Sequence, residues 1–200
     1  VIIFLISPDS RRIATITQEV KENGDRNQIC ISDNINFEPV DETINSSINV
    51  INNNIYSSVN SLIFSPDSKH CLYSAKNNDG RGFIICDNVT VKTYDHDPTI
   101  IFIGFIDGSG PKSKAIYVVE DMCHKFVTYD VDSKEFKEID YDYIFSTAVA
   151  ISPDNKKVVY LASFNYQHYV ICGDILIKLP YSCADNIKFS PNSRYLTYAT

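Results

Sequence analysis

Short apolar runs separated by polar turn residues recur along this chain. Ile, Val, Tyr, Phe and Thr fill stretches of four to eight residues, broken by Asn, Asp, Ser, Gly and Pro. Such side chains suit a pleated, half-buried surface, and the breakers supply turns. Helical windows with apolar residues at i, i+3 and i+4 are hard to find, so the pattern predicts an all-β protein.

One segment repeats. Phe4–Arg11 (FLISPDSR), Leu62–Lys69 (LIFSPDSK), Val149–Lys156 (VAISPDNK) and Ile187–Arg194 (IKFSPNSR) superpose, and each runs on into a β-like stretch. One and three residues before the repeated Ser the side chains are apolar. Six and eight residues after it they are Ile13 and Thr15, Cys71 and Tyr73, Val158 and Tyr160, Leu196 and Tyr198. That is period two on both sides of a turn, the signature of a hairpin with one apolar face. Ser at the first position, Pro at the second and Asp or Asn at the third suit a type I turn. A second hairpin follows in the same units: Phe83–Lys92 aligns with Tyr169–Lys178, and Ile29–Glu38 fits the same frame. Its Asp87-Asn88 and Gly173-Asp174 pairs tolerate the positive φ of a tight primed turn. Two hairpins make four antiparallel strands. Such a sheet exposes two apolar faces, so the units must stack, and radial stacking of four-stranded sheets is a β-propeller.

The Ser-Pro-Asp-x-basic turn, the strand that follows it and the second hairpin together resemble the blades of TolB-type, WD-repeat-like β-propellers. The resemblance covers nearly the whole chain and implies a scaffold that binds a protein or peptide. Prolyl-oligopeptidase-type proteins carry similar propellers as a gate over a separate hydrolase domain, so a gating role is the alternative, with an envelope-associated TolB-like accessory role as a third. The family usually has Gly after the Asp, whereas Ser10, Ser68, Asn155 and Ser193 stand there. A left-handed Ser costs on the order of 1 kcal/mol more than Gly, which predicts a plain type I variant of the turn.

The repeats give blades over about 3–58, 61–98, 100–143 and 144–182, with a partial fifth over 187–200, all in one propeller spanning 1–200. The gap between Ser65 and Ser152 is about twice the roughly 40–45 residues of such a unit. A degenerate blade is therefore expected inside it, with Phe105-Ile106-Asp107-Gly108 replacing the Ser-Pro-Asp turn. An Asn-rich segment between Asp41 and Ser61 reads as an inserted loop. Lacking an initiating Met and two strands of the fifth blade, the chain reads as part of a longer protein, an open arc with a naked edge at Arg194–Thr200.

Charge narrows the partner class. Eighteen Lys and Arg stand against 25 Asp and Glu, a net charge of −7, which argues against a surface built for nucleic acid. No apolar run approaches the roughly 20 residues of a membrane helix, so no membrane insertion is expected.

Candidate chemistry is sparse. Cys30, Cys71, Cys86, Cys123, Cys172 and Cys183 contain no C-x-x-C pair and read as free, buried small hydrophobes. Met122-Cys123-His124 sets a thiol beside an imidazole, but neighbours in a turn seldom face each other. His70, His96 and His168 stand singly, without ligand spacing. Gly108-Ser109-Gly110-Pro111-Lys112 fails the phosphate-loop pattern for want of the Gly-Lys-Ser/Thr ending and a following helix. Asp130-Val131-Asp132-Ser133 has calcium-loop spacing, yet Lys134 and Phe136 fall where oxygens belong, so a hairpin turn is expected. Asn45-Ser46-Ser47 and Asn88-Val89-Thr90 match glycosylation sequons. Arg11, Lys69, Lys156 and Arg194 follow each repeated Ser at one spacing; they form either a basic ring or, the favoured reading, solvated turns facing Asp9, Asp67 and Asp154. Neither a catalytic residue nor a cofactor or metal ligand is assigned.

Overall fold

A computed structural model describes residues 3–19, 26–33, 49–50, 56–95, 98–107, 113–180 and 185–199. Strands dominate, and no helix occurs among the described residues. The chain forms two compact units, Val1–Asp97 and Pro98–Thr200.

The first unit holds two antiparallel sheets, each ordered as its strands occur in the sequence. One comprises β1 (Ile3–Ile6), β2 (Arg12–Glu19), β3 (Arg26–Asp33) and β4 (Asn49–Val50). The other comprises β5 (Ser58–Phe64), β6 (Cys71–Lys76), β7 (Gly82–Cys86) and β8 (Val89–Tyr94). Between the sheets Ala14, Tyr56, Phe64, Cys71, Tyr73, Ala75 and Ile85 form one buried cluster. Tyr73 is fully buried, as its place on the alternating apolar face of β6 requires. Asp87 and Asn88 take φ of 49° and 65°, the primed turn expected between β7 and β8. Ile35–Glu38, most of the Asn-rich segment, Asn45-Ser46-Ser47 and His96 lie outside the described residues, as does the side chain of Cys30.

The second unit repeats the plan. One sheet contains β9 (Thr99–Asp107), β10 (Ser113–Glu120), β11 (His124–Asp130) and β12 (Phe136–Tyr141). The next contains β13 (Tyr143–Ile151), β14 (Val158–Phe164), β15 (Gln167–Cys172) and β16 (Ile175–Lys178). A two-stranded sheet pairs β17 (Asp185–Phe189) with β18 (Leu196–Ala199). β14 is buried on both faces. Val158, Tyr160 and Ala162 meet Ile116, Val118 and Phe126, whereas Val159 and Leu161 join Val170, Leu179 and Ile187. Tyr160 stacks on Phe126 with ring centroids 4.2 Å apart, and its hydroxyl lies 2.8 Å from that of Tyr141.

Two expectations need correcting. Phe105, Ile106 and Asp107 are not a turn. They extend β9 and pair with Ala115, Lys114 and Ser113, because a Phe-Ile pair without Pro favours the pleated ladder. Gly108–Lys112 lie outside the described residues. Tyr198 shares the repeat position of Tyr73 and Tyr160 but is 37% exposed, since β18 belongs to a sheet of only two described strands.

Candidate functional site

Four turns carry the same hydrogen-bond network. In the first, Ser7 Oγ donates to Asp9 Oδ1 at 2.6 Å and accepts the Arg12 N–H at 3.0 Å. The Arg11 N–H donates to the same Asp9 oxygen at 3.1 Å, and the Ser10 N–H closes on Ser7 O at 2.9 Å. Ser65, Asp67, Lys69 and His70 repeat the geometry, as do Ser152, Asp154, Lys156 and Lys157. The last copy places Asn192 where the others have Asp. The Asp9 and Asp154 carboxyls are held below the ordinary carboxylate range by hydrogen bonds from Ser7 and Ser152 and from the following backbone N–H groups. At Asp67 desolvation works upward, but the Ser65 and Lys69 hydrogen bonds prevail and the net shift is again downward.

These carboxylates are structural acceptors. Lys69 Nζ lies 3.6 Å from Asp67 Oδ2 and is well exposed, in keeping with a solvated turn. Arg12, one residue beyond the repeated cation, does more. Its guanidinium donates to Ser68 O at 3.1 Å and Lys69 O at 2.8 Å, and lies 5.3 Å over the Phe64 ring. Nothing in the repeat singles out Arg12, because its partners are 56 and 57 residues away.

The residue after the Asp overturns the plain type I expectation. Ser10, Ser68, Asn155 and Ser193 stand at φ between 56° and 61°, the left-handed region. Two of them use the side chain that Gly would lack: the Asp9 N–H donates to Ser68 Oγ at 2.9 Å, and the Asp154 N–H to Ser193 Oγ at 3.0 Å. Each bond joins one sheet to the next. A hydrogen bond worth about 1 kcal/mol offsets the backbone strain.

Among the described residues the thiols and imidazoles form no reactive pair. Cys71, Cys86, Cys123 and Cys172 are free; the side chain of Cys183, like that of Cys30, is not described. Burial pushes the Cys71 thiol up to about 12 and moves Cys86 in the same direction, away from a nucleophilic thiolate. Cys123 Sγ points to Asp140 Oδ1 at 3.7 Å, whereas His124 Nε2 faces Glu120 at 3.7 Å. His70 Nδ1 meets Asp87 Oδ2 at 2.7 Å, and the other Asp87 oxygen accepts the Cys71 N–H. That carboxylate ties a turn to the start of β6. Asp130 Oδ1 accepts the Ser133 N–H at 2.9 Å, forming the hairpin turn read from the sequence. No group of three or more His, Cys, Asp or Glu with metal-holding geometry occurs among the described residues.

The opposite end of the second unit was missed by the sequence reading. The rings of His124 and Tyr143 lie 4.4 Å apart, Tyr143 and Phe145 4.8 Å, and Phe145 and His168 5.6 Å. Beside this row the β14–β15 turn holds Asn165 and Tyr166 at φ of 50° and 60°. Tyr166 is 96% exposed, with Phe164 and Tyr143 about half exposed. A bulky residue at positive φ, projecting into solvent, is strained without any packing return. Glu120 at the end of β10, with Asp121 and Asp142 on the adjoining turns, supplies acid.

No protein-family model and no curated protein matches the chain. Among solved structures it is similar to a prolyl endopeptidase, from a study of two such enzymes and their inter-domain dynamics. That match has a TM-score of 0.55 and 10% identity, covering 96% of this chain and 30% of that one. TolB from Acinetobacter baumannii matches at TM-score 0.48 and 20% identity, over 98% of this chain and 48% of that one. The β-propeller domain of the Trilobed protease from Pyrococcus furiosus matches at 0.49 and 13%, over 94% and 61%. The chain thus spans less than two thirds of each. The fold is all-β, a β-propeller arrangement of four-stranded antiparallel blades.

Proposed function

We propose that the sheets over residues 1–200 are blades of one propeller, and that it is a non-catalytic scaffold binding a protein or peptide. The observation that carries this is the aromatic end of the second unit, where Tyr143, Phe164 and Tyr166 stand exposed among acids. Aromatic anchors with a polar rim are the usual composition of a recognition surface, and the acids favour a segment with cationic and apolar side chains. The test is binding of peptides rich in Lys, Arg and Pro to the full chain by calorimetry. Phe164→Ala and Tyr166→Ala should abolish binding while leaving the thermal midpoint in place; binding that survives both refutes the reading.

A second reading rests on the prolyl endopeptidase similarity: the propeller gates a hydrolase domain carried elsewhere in the protein. A serine-directed fluorophosphonate probe, applied to the protein from its native source, separates the two. Labelling of a species that contains this chain favours the gate, and absence of labelling favours the scaffold.

A further inference from the structure

The outermost strands of the complete sheets differ in how they guard their free edges. β12 carries Lys137, Glu138 and Asp140, and charge is a common guard against edge pairing. β8 is broken by a register shift opposite Ile84 and Ile85, and a bulge of this kind also blunts an edge. β16 has no bulge, and its one charge, Lys178, stands at its C-terminal end. It pairs with β15 in unbroken register, and among the described residues β15 is its sole partner. Ile175, Leu176 and Ile177 are 62%, 59% and 42% exposed.

The free edge of β16 is self-complementary. The Leu179 N–H donates inward to His168 O at 2.9 Å, so by antiparallel alternation Ile177 also points toward β15, while Leu176 and Lys178 turn their N–H and C=O outward. Pairing the strand antiparallel with a copy of itself about Leu176 sets Leu176 against Leu176 and Ile175 against Ile177, and brings Asp174, the turn residue just before β16, to Lys178. The residue on the axis is one whose backbone groups face out, as a mutually hydrogen-bonded pair requires. Both flanking pairs are opposite in charge, and Asp174 and Lys178 are exposed, with no ion partner among the described residues. The aligned β8 hairpin has Asn88 where β16 has Asp174, so it lacks this complementarity.

We infer that β16 is a homodimerisation edge, at which two copies of the chain join antiparallel through Leu176 on a two-fold axis. The interface is isologous and continues each four-stranded sheet into that of its partner.

Sedimentation velocity across the micromolar range on the full chain should show a monomer–dimer equilibrium. Asp174→Lys and Lys178→Asp, taken singly, each convert both flanking pairs to repulsion and should weaken the dimer at least about tenfold. An equimolar mixture of the two single variants restores both pairs and should form a heterodimer, and the double reversal should again form a homodimer. The amides of Leu176 and Lys178 should gain hydrogen-exchange protection as concentration rises. The inference is overturned by a wild-type chain that stays monomeric, by a dimer indifferent to the reversals, or by a mixture that does not reassociate. Protection of those amides only on adding a separate extended peptide would assign the edge to a foreign strand and overturn self-pairing as well.

Discussion

At the scale of single residues, position matters more than residue type. Ser68 sits at φ 61° and accepts the Asp9 N–H through its hydroxyl. Ser68→Ala keeps the strain and loses the acceptor, whereas Ser68→Gly loses the acceptor but relieves the strain. In urea denaturation Ser68→Ala should therefore be less stable than Ser68→Gly by about 1 kcal/mol. Equal stabilities would show that the backbone relaxes. Tyr160→Ala removes the ring stacked on Phe126 and the partner of the Tyr141 hydroxyl; the cost should be roughly 3–5 kcal/mol, as for a buried aromatic. An unchanged midpoint would contradict the packing of β14. The burial of Tyr73 and Tyr160 was legible in the sequence, because period-two alternation reports which face a residue occupies. Ser68 and Arg12 were not legible as bridging residues. Their partners lie more than fifty residues away, and local pattern carries no information over that separation.

At the scale of the element, the recurring turn behaves as a small acid-sensitive clasp. Asp9, Asp67 and Asp154 have carboxyls shifted below their unfolded values by the bonds they accept. The stabilisation is thus present above about pH 4 and fades as pH falls through the lowered folded values. Asn192 already fills the same role without titrating. Replacing all three Asp by Asn should flatten the acid limb of stability against pH and lower neutral stability toward the wild-type acid value, as followed by urea midpoints. A triple variant with the wild-type acid limb would place the sensitivity elsewhere. Turn chemistry of this kind is readable because Ser, Pro and Asp act within six residues. The degenerate copy at Phe105–Asp107 was misread for the same reason: without Pro nothing local marks the turn, and the apolar pair simply continues the strand. The Asn165-Tyr166 turn escaped notice because a Tyr at positive φ contradicts the preferences on which a reading depends.

At the scale of the whole molecule, the all-β plan has a direct spectroscopic consequence. Far-UV circular dichroism should show a strand-type spectrum, and helix above about a quarter, near the globular average, would contradict the fold. The repeat made the fold class legible, because four copies of one turn with alternating flanks leave few architectures open. The aromatic end was invisible, being assembled from separate turns that share no motif. Strand order within each sheet also bears on how the molecule is made. β1 to β4, β5 to β8, β9 to β12 and β13 to β16 each pair in the order in which they occur in the chain, so among the described residues every ladder closes between consecutive strands and none waits for a distant one. During synthesis a sheet can zip up as its last strand leaves the ribosome, before the next has been translated. Only the bonds between sheets, such as that from Asp9 to Ser68, require two finished sheets. Contact order stays low for a protein made of strands, and the long search that slows most β-sandwiches shrinks to a series of short ones taken in turn.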